Sequence, residues 1–222
     1  MTDVDAVTGA FSYSGAEIAR ELVAAGRRVR TLTGHPDRAP ADLKIEVRPL
    51  DFENPNGLAN ALTGIHTLYN TYWVRFAHGK MDHQHAVANT RILFQAARRA
   101  GVRRIVHVSI TNPCANSPYS YFRGKADVEQ ILVSLGVPYA IARPAILFGG
   151  DGVLINNVAW LLRHFPLFPI GGRGTYRVRG IHVADLGRLC VALGRRSDNL
   201  IVDAVGPESL TFRELVESIR AA

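Results

Sequence analysis

Stretches patterned as buried strands alternate with stretches patterned as amphipathic helices at least six times along the 222 residues. Strands are expected at 28–32, 44–50, 65–71, from 105 onward, at 139–143 and at 200–205, with a short one at 178–182. Such alternation folds into an α/β, doubly wound parallel sheet covered by helices on both faces. Ligands of these sheets sit beyond the carboxyl ends of the strands. Gly9, Thr33, Asp51, Tyr72, Thr111 and Pro144 all fall at or just past those ends, so one crevice would collect them.

The first strand leads into Thr8-Gly9-Ala10-Phe11-Ser12-Tyr13-Ser14-Gly15, which opens a helix carrying Ile18, Leu22 and Val23 at helical spacing and closed by Gly26. A strand, glycine turn and helix can hold a pyrophosphate, because the N–H groups and positive dipole end of the helix face the anion. Gly9, Phe11, Ser12, Tyr13 and Gly15 are therefore cofactor-binding candidates. Ser12 stands where the middle glycine of such turns is usual, so a side chain has to fit near the phosphates. Asp3 and Asp5 are unexpected in a strand buried on both faces.

The second strand ends in Thr33-Gly34-His35-Pro36, without the carboxylate that usually meets a free ribose 2′-hydroxyl about 20 residues past the glycines. Arg30, Thr33, His35 and Arg38 suit a 2′-phosphate instead, so NADP is expected over NAD. Asp51 and Phe52 end the third strand, where the carboxylate can accept the adenine amino group or cap a turn. Thr71 and the aromatic run Tyr72-Trp73-Val74-Arg75-Phe76 follow the fourth, as pocket lining or buried loop packing.

In the helix expected at 82–100, closed by Gly101, Asn89 is either a solvated residue or a holder of water near a lysine. His83 and His85 lie two apart, point to different sides and converge poorly on one ion, so no metal is expected. The stretch 105–125 carries the chemistry. Ser109 and Thr111 end a strand, and Tyr121-Phe122-Arg123-Gly124-Lys125 opens a helix, which puts Lys125 one turn above Tyr121. A phenol with a pKa of about 10 is a poor proton carrier at neutral pH unless a nearby cation favours its anion. Lys125 supplies that cation. The same helix carries Val128, Ile131, Leu132 and Leu135 as an apolar stripe and stops at Gly136, and Pro144 fixes the chain as it leaves the next strand.

A helix is expected within 151–169, Gly171-Gly172-Arg173-Gly174 reads as a plain turn, and Thr211 with Glu214 forms a capping box. Residues 1–150 are expected to form the dinucleotide-binding domain, and 151–222 a small substrate-side region interleaved with the last elements of the same fold. The loops 72–80 and 156–176 would set specificity.

The net charge of +7 is spread over arginine pairs without a long basic run, which argues against nucleic acid. No apolar run reaches the roughly 18 residues of a membrane span. The amino terminus lacks a secretory pattern, making cytoplasm the default, and the isolated Cys114 and Cys190 are expected as reduced thiols.

Taken together, Thr8-Gly9-x5-Gly15, Asp51, Asn89, Val108-Ser109-Ile110-Thr111, Tyr121-x-x-x-Lys125, Arg143-Pro144 and Ile181-His182-Val183-x-Asp185-Leu186 resemble the short-chain dehydrogenase/reductase superfamily in its extended or atypical, epimerase/dehydratase-like branch. The phrases His107–Pro113, Tyr121–Lys125 and Ile155–Trp160 look most like a subgroup related to the NADPH-binding accessory subunit of respiratory complex I. The resemblance implies a Rossmann fold, with Tyr121 as general acid/base, Lys125 as its electrostatic partner and ribose ligand, Thr111 orienting the substrate oxygen with Ser109 as fallback, and Asn89 as the structural asparagine. It implies hydride transfer between nicotinamide and a small-molecule carbonyl or hydroxyl substrate, and a homodimer by analogy. In the complex I subgroup the cofactor is thought to act structurally, so a sensor, scaffold or assembly factor without turnover is the alternative.

Overall fold

The computed structural model describes residues 3–39, 44–74 and 82–221. Its elements in order are β1 (Val4–Thr8), α1 (Tyr13–Ala24), β2 (Arg28–Thr33), β3 (Glu46–Pro49), α2 (Pro55–Ala61), β4 (Ile65–Asn70), α3 (His83–Arg99), β5 (Arg104–Val108) and α4 (Ser120–Val133). There follow β6 (Tyr139–Pro144), β7 (Ile146–Phe148), α5 (Val153–His164), β8 (Arg177–Val178), β9 (Gly180–His182), α6 (Val183–Gly194), β10 (Leu200–Ala204), β11 (Leu210–Thr211) and α7 (Phe212–Ala221). Seven strands form one sheet in the order β10-β6-β5-β4-β1-β2-β3, every pair parallel.

Alternation of side chains along each strand builds two cores, one on each face. Ala6, Leu68, Ile105 and Ile141 point to the side covered by α2, α3 and α4, where they meet Leu62, Phe94, Val128 and Leu132. Their neighbours Val7, Tyr69, Val106 and Ala140 point to the other side, against Ile18 and Leu22 of α1 and Leu186 and Cys190 of α6. The helices α1 and α6 approach closely because Gly187 has no side chain: a Cβ there would lie 3.0 Å from the Glu17 backbone.

The unexpected acid of β1 has a local explanation. Asp5, 1% exposed, accepts two hydrogen bonds from the Arg27 guanidinium at 2.7 and 3.0 Å and one from the Thr67 N–H at 3.2 Å. A buried carboxylate that is paired and hydrogen-bonded is tolerated. Arg104 is likewise structural, donating to Leu193 O in the last turn of α6 and to Asp198 O in the loop before β10. These members of the arginine pairs thus serve internal contacts.

Strand succession runs outward from β1 through β2 to β3, then reverses through β4, β5 and β6 to β10. The reversal between β1 and β4 opens a crevice at the strand tips. Beyond the main sheet, β7 pairs with β9, β8 pairs with β11, and α5 packs on α7. Residues 151–221 supply α6 and β10 to the main fold and β8, β9, β11, α5 and α7 to the group beside it, which β7 joins from residues 146–148.

Candidate functional site

The glycine turn is built as its spacing requires. Gly9 has φ +64°, and a Cβ on Gly15 would lie 2.2 Å from Gly9 O, so neither position admits a side chain without a shift. Ser12 sits at φ −100° and ψ 167°, which any residue adopts. Its hydroxyl turns back to donate to Gly9 O at 2.6 Å, so the substitution for the middle glycine is absorbed within the turn. Phe11 is half-buried against the α1–α6 core. Tyr13 starts α1, and its hydroxyl donates to Gly149 O at 2.8 Å, tying the turn to the loop after β7.

The tips of β1, β4 and β5 are laced by buried polar groups. The Thr71 and Tyr72 N–H groups donate to Thr8 Oγ1 at 2.8 and 3.1 Å, and the Thr71 hydroxyl donates to Thr8 O at 2.6 Å. Thr8 Oγ1 donates to Asn70 Oδ1 at 3.0 Å, and Asn70 Nδ2 meets His107 Nδ1 at 3.1 Å. Asn70 and His107 face each other in register on β4 and β5, both fully buried. Burial, aided by the charge of Lys125, holds the His107 pKa well below 6.5, so the ring is neutral at physiological pH.

Above this layer, α4 places Tyr121 and Lys125 one turn apart. Lys125 is 3% exposed; its ammonium donates to Val108 O at 3.2 Å and lies 4.5 Å from the centroid of the Trp73 ring. Burial lowers its pKa to about 7, opposed by the negative charge of Glu129 one turn further on. Glu129 is itself clamped by Arg143, at 3.0 Å to Nε and 2.5 Å to Nη2. The half-buried Tyr121 ring meets the edges or faces of Trp73, His83 and Phe122 at centroid distances of 5.7, 5.4 and 5.6 Å.

A crevice of about 690 Å³ brings together Ser12, Tyr13, Thr71, Trp73, Ser109, Tyr121, Lys125 and Pro144. Ser109 is 5% exposed, and its Oγ has no hydrogen-bond partner among the described residues. Thr111 lies elsewhere: its N–H donates to Pro144 O at 3.0 Å, and it lines the adjoining groove with Phe122 and Arg177. Ser109 therefore lines the crevice and Thr111 the groove beside it, because the chain leaves the crevice after Ile110.

Asn89 is not among the residues lining the crevice. Its amide donates to the Tyr72 hydroxyl at 2.9 Å, and the Tyr72 ring packs on Phe52 at 4.7 Å. Asp51 Oδ1 accepts the Glu53 N–H at 3.0 Å, the turn-capping alternative. The Thr33 hydroxyl accepts the His35 N–H at 3.0 Å, and exposed His35 and Arg38 bracket a 3₁₀ turn that also holds Asp37. Arg30 is turned away, paired with Glu46 and bonded to the carbonyls of Ala61 and Thr63. His83 Nδ1 meets Ser120 Oγ and His85 meets Asp82. Arg75 and Phe76 of the aromatic run lie outside the described residues.

Glu129 and the Asn70–His107 pair escape the sequence reading, which weighed His83 only as a metal ligand and missed its contact with Tyr121. Glu129 had a signal, its four-residue spacing from Lys125. The Asn70–His107 pair had none, because only the strand order makes its members neighbours.

The residues present fit a dinucleotide. The cradle between Gly9 and Gly15 is one that a Cβ would fill, the first turn of α1 presents N–H groups beyond the intrahelical ladder, and the Ser109 hydroxyl, without a partner among the described residues, shares its crevice with Lys125. The NAD(P)H-binding family matches residues 9–158. The Arabidopsis thaliana NADH dehydrogenase [ubiquinone] 1 alpha subcomplex subunit 9, mitochondrial, is 23% identical over 96% of the chain. The Stigmatella aurantiaca 4-hydroxy-2-methyl-3-oxo-4-farnesyl-3,4-dihydroquinoline-1-oxide ketoreductase is 26% identical over 65% of the chain. The chain spans 56% of the length of the first and 50% of the second. Among solved structures, UDP-N-acetylglucosamine 4-epimerase from Bacillus cereus shares the fold with a TM-score of 0.81, 19% identity, and coverage of 99% of this chain and 81% of its own. The chain belongs to the NAD(P)H-binding family, has the Rossmann fold it shares with the epimerase, and is similar over nearly its whole length to the NADH dehydrogenase subunit.

Proposed function

We propose that the protein is an NADP(H)-dependent oxidoreductase or epimerase-type enzyme acting on a carbinol or carbonyl carbon. The observation that carries this reading is the shared crevice of Tyr121, Lys125 and Ser109, continuous with the glycine turn. A passive binder of cofactor has no use for a proton carrier there. The name of the Stigmatella relative, a ketoreductase, supports the same class. NADP is favoured over NAD by exposed His35 and Arg38 past β2; Arg38 has no ion pair among the described residues.

Each residue then has a task. The backbone of the Gly9–Gly15 turn and the start of α1 hold the pyrophosphate, and Lys125 reaches the nicotinamide ribose. The bound nicotinamide supplies or accepts the hydride. Ser109 Oγ donates to the substrate oxygen, and the Tyr121 hydroxyl gives that oxygen its proton in reduction or takes it in oxidation. The ammonium of Lys125 favours the phenolate formed when the proton leaves. Trp73, His83 and Phe122 restrict the ring of Tyr121 and exclude water from it.

Tyr121→Phe removes the proton while keeping the ring. Turnover of a ketone panel followed by NADPH absorbance should fall by about 10³-fold or more, within the contribution of a general acid, with NADPH affinity unchanged within threefold. Ser109→Ala should lose more than Thr111→Val in the same assay. Parental turnover in Tyr121→Phe would reject the mechanism. The second reading, a cofactor-binding scaffold, is favoured by the match to the complex I subunit over nearly the whole chain. It predicts NADPH binding with no turnover in the parent.

A further inference from the structure

Next to the crevice lies a second cavity that the hydride chemistry does not use. It measures about 490 Å³ and is walled by Phe148 of β7, Ile155 of α5, Ile181 of β9, and Leu215 and Ile219 of α7. Side-chain alternation on β7 sends Leu147 toward the crevice and Phe148 toward this cavity. Size and lining match a small-molecule site, mainly apolar with a few polar groups, here Arg179, His182, Asp185 and Glu208.

The cavity adjoins the space that holds the reacting groups. Ile146 lines the crevice, the intervening groove of about 550 Å³ and the cavity itself. Ile110 and Ala145 are shared between crevice and groove, and Val178 and Arg179 between groove and cavity. The crevice of Ser109 and Tyr121, the groove and the apolar chamber therefore adjoin one another along Ile146. A diphosphate is poorly served there, since Asp185 and Glu208 repel it and the Arg179 guanidinium already donates to Gly206 O at 2.5 Å.

We propose that the substrate is an amphipathic carbonyl or carbinol compound whose hydrocarbon tail occupies this cavity while its oxygen meets Ser109 and Tyr121. The assignment of the reacting end rests on the oxidoreductase reading. The tail site stands on the cavity alone.

The test is calorimetric titration of the protein saturated with NADP+, which cannot reduce a ketone, with 2-alkanones of five to twelve carbons. NADP+ affinity is measured first, so a failure of cofactor binding is seen separately from a failure of tail binding. Once the tail reaches the cavity, each added methylene should tighten binding about fourfold, the equivalent of about 0.8 kcal/mol. Leu215→Trp and Ile219→Trp fill the chamber and should flatten the series at its long end, leaving short ketones and NADP+ unaffected. Should those variants fold poorly, a 2-dodecanone bearing a terminal diazirine, photolysed on the parent protein, should label peptides of β7, β9, α5 or α7. A flat series in the parent, a steep series untouched by both tryptophans, or labelling confined to other elements would each overturn the proposal.

Discussion

Lys125 is a cation held where charge is costly. Its ordinary pKa of 10.5 falls to about 7 on burial, with Glu129 opposing the shift and the Trp73 face and Val108 O as partners. Between pH 7 and 10.5 the unfolded chain binds a proton that the folded chain does not. Stability therefore rises with pH across that window, by at most roughly 1.4 kcal/mol per pH unit for one proton, and the penalty is complete below pH 7. His107 acts in the same sense lower down, since its depressed pKa disfavours the folded state as pH falls below 6.5. In urea denaturation without cofactor, the parent should gain stability from pH 7 to 9.5, and Lys125→Met should be more stable at pH 7 and lose most of that gain. An equal gain in both proteins would show that the lysine is not desolvated as described. The Tyr121–Lys125 spacing was legible because it lies within one helix. The separation of Ser109 in the crevice from Thr111 in the groove was not, because it depends on where the chain bends after β5.

Among elements, the glycine turn and the helix it opens are the most constrained. Gly15→Ala puts a methyl group 2.2 Å from Gly9 O, so the turn or the start of α1 has to move. That change should cost about 1–3 kcal/mol in thermal or urea unfolding, as overpacking does, and weaken NADPH at least tenfold by calorimetry. Unchanged NADPH affinity in a folded Gly15→Ala protein would remove the turn from the cofactor site. Helix ends were readable in the sequence: Gly26, Gly101 and Gly136 close α1, α3 and α4 with φ of +73°, +74° and +77°. So was the reciprocal capping of α7, where Glu214 accepts the Thr211 N–H and Thr211 accepts the Glu214 N–H. The contact of Asn89 was not readable, because its partner, Tyr72, lies outside the helix and nothing in the helix pattern names it.

For the molecule as a whole, alternation of strands and helices was enough to give a parallel sheet covered on both faces. The order of the strands is a matter of long-range pairing, and it decides that Thr8, Asn70 and His107 form one layer beneath the crevice. The Asp5–Arg27 clamp was opaque for the same reason, as its partners are 22 residues apart and each looks misplaced alone. The apolar chamber is assembled from β7, β9, α5 and α7, none of which carries a recognisable motif. Among the described residues, no helix is long and apolar enough to cross a membrane.

Calorimetric titration of NADPH and NADH into the parent and into Lys125→Met bears most directly on whether a nicotinamide cofactor lies against the tyrosine and lysine. The parent should bind one NADPH per chain, more tightly than NADH, and the variant should bind NADPH at least tenfold more weakly because it lacks the ammonium that meets the ribose. No saturable binding in the parent, or equal NADPH affinity in parent and variant, would contradict a cofactor lying in that crevice.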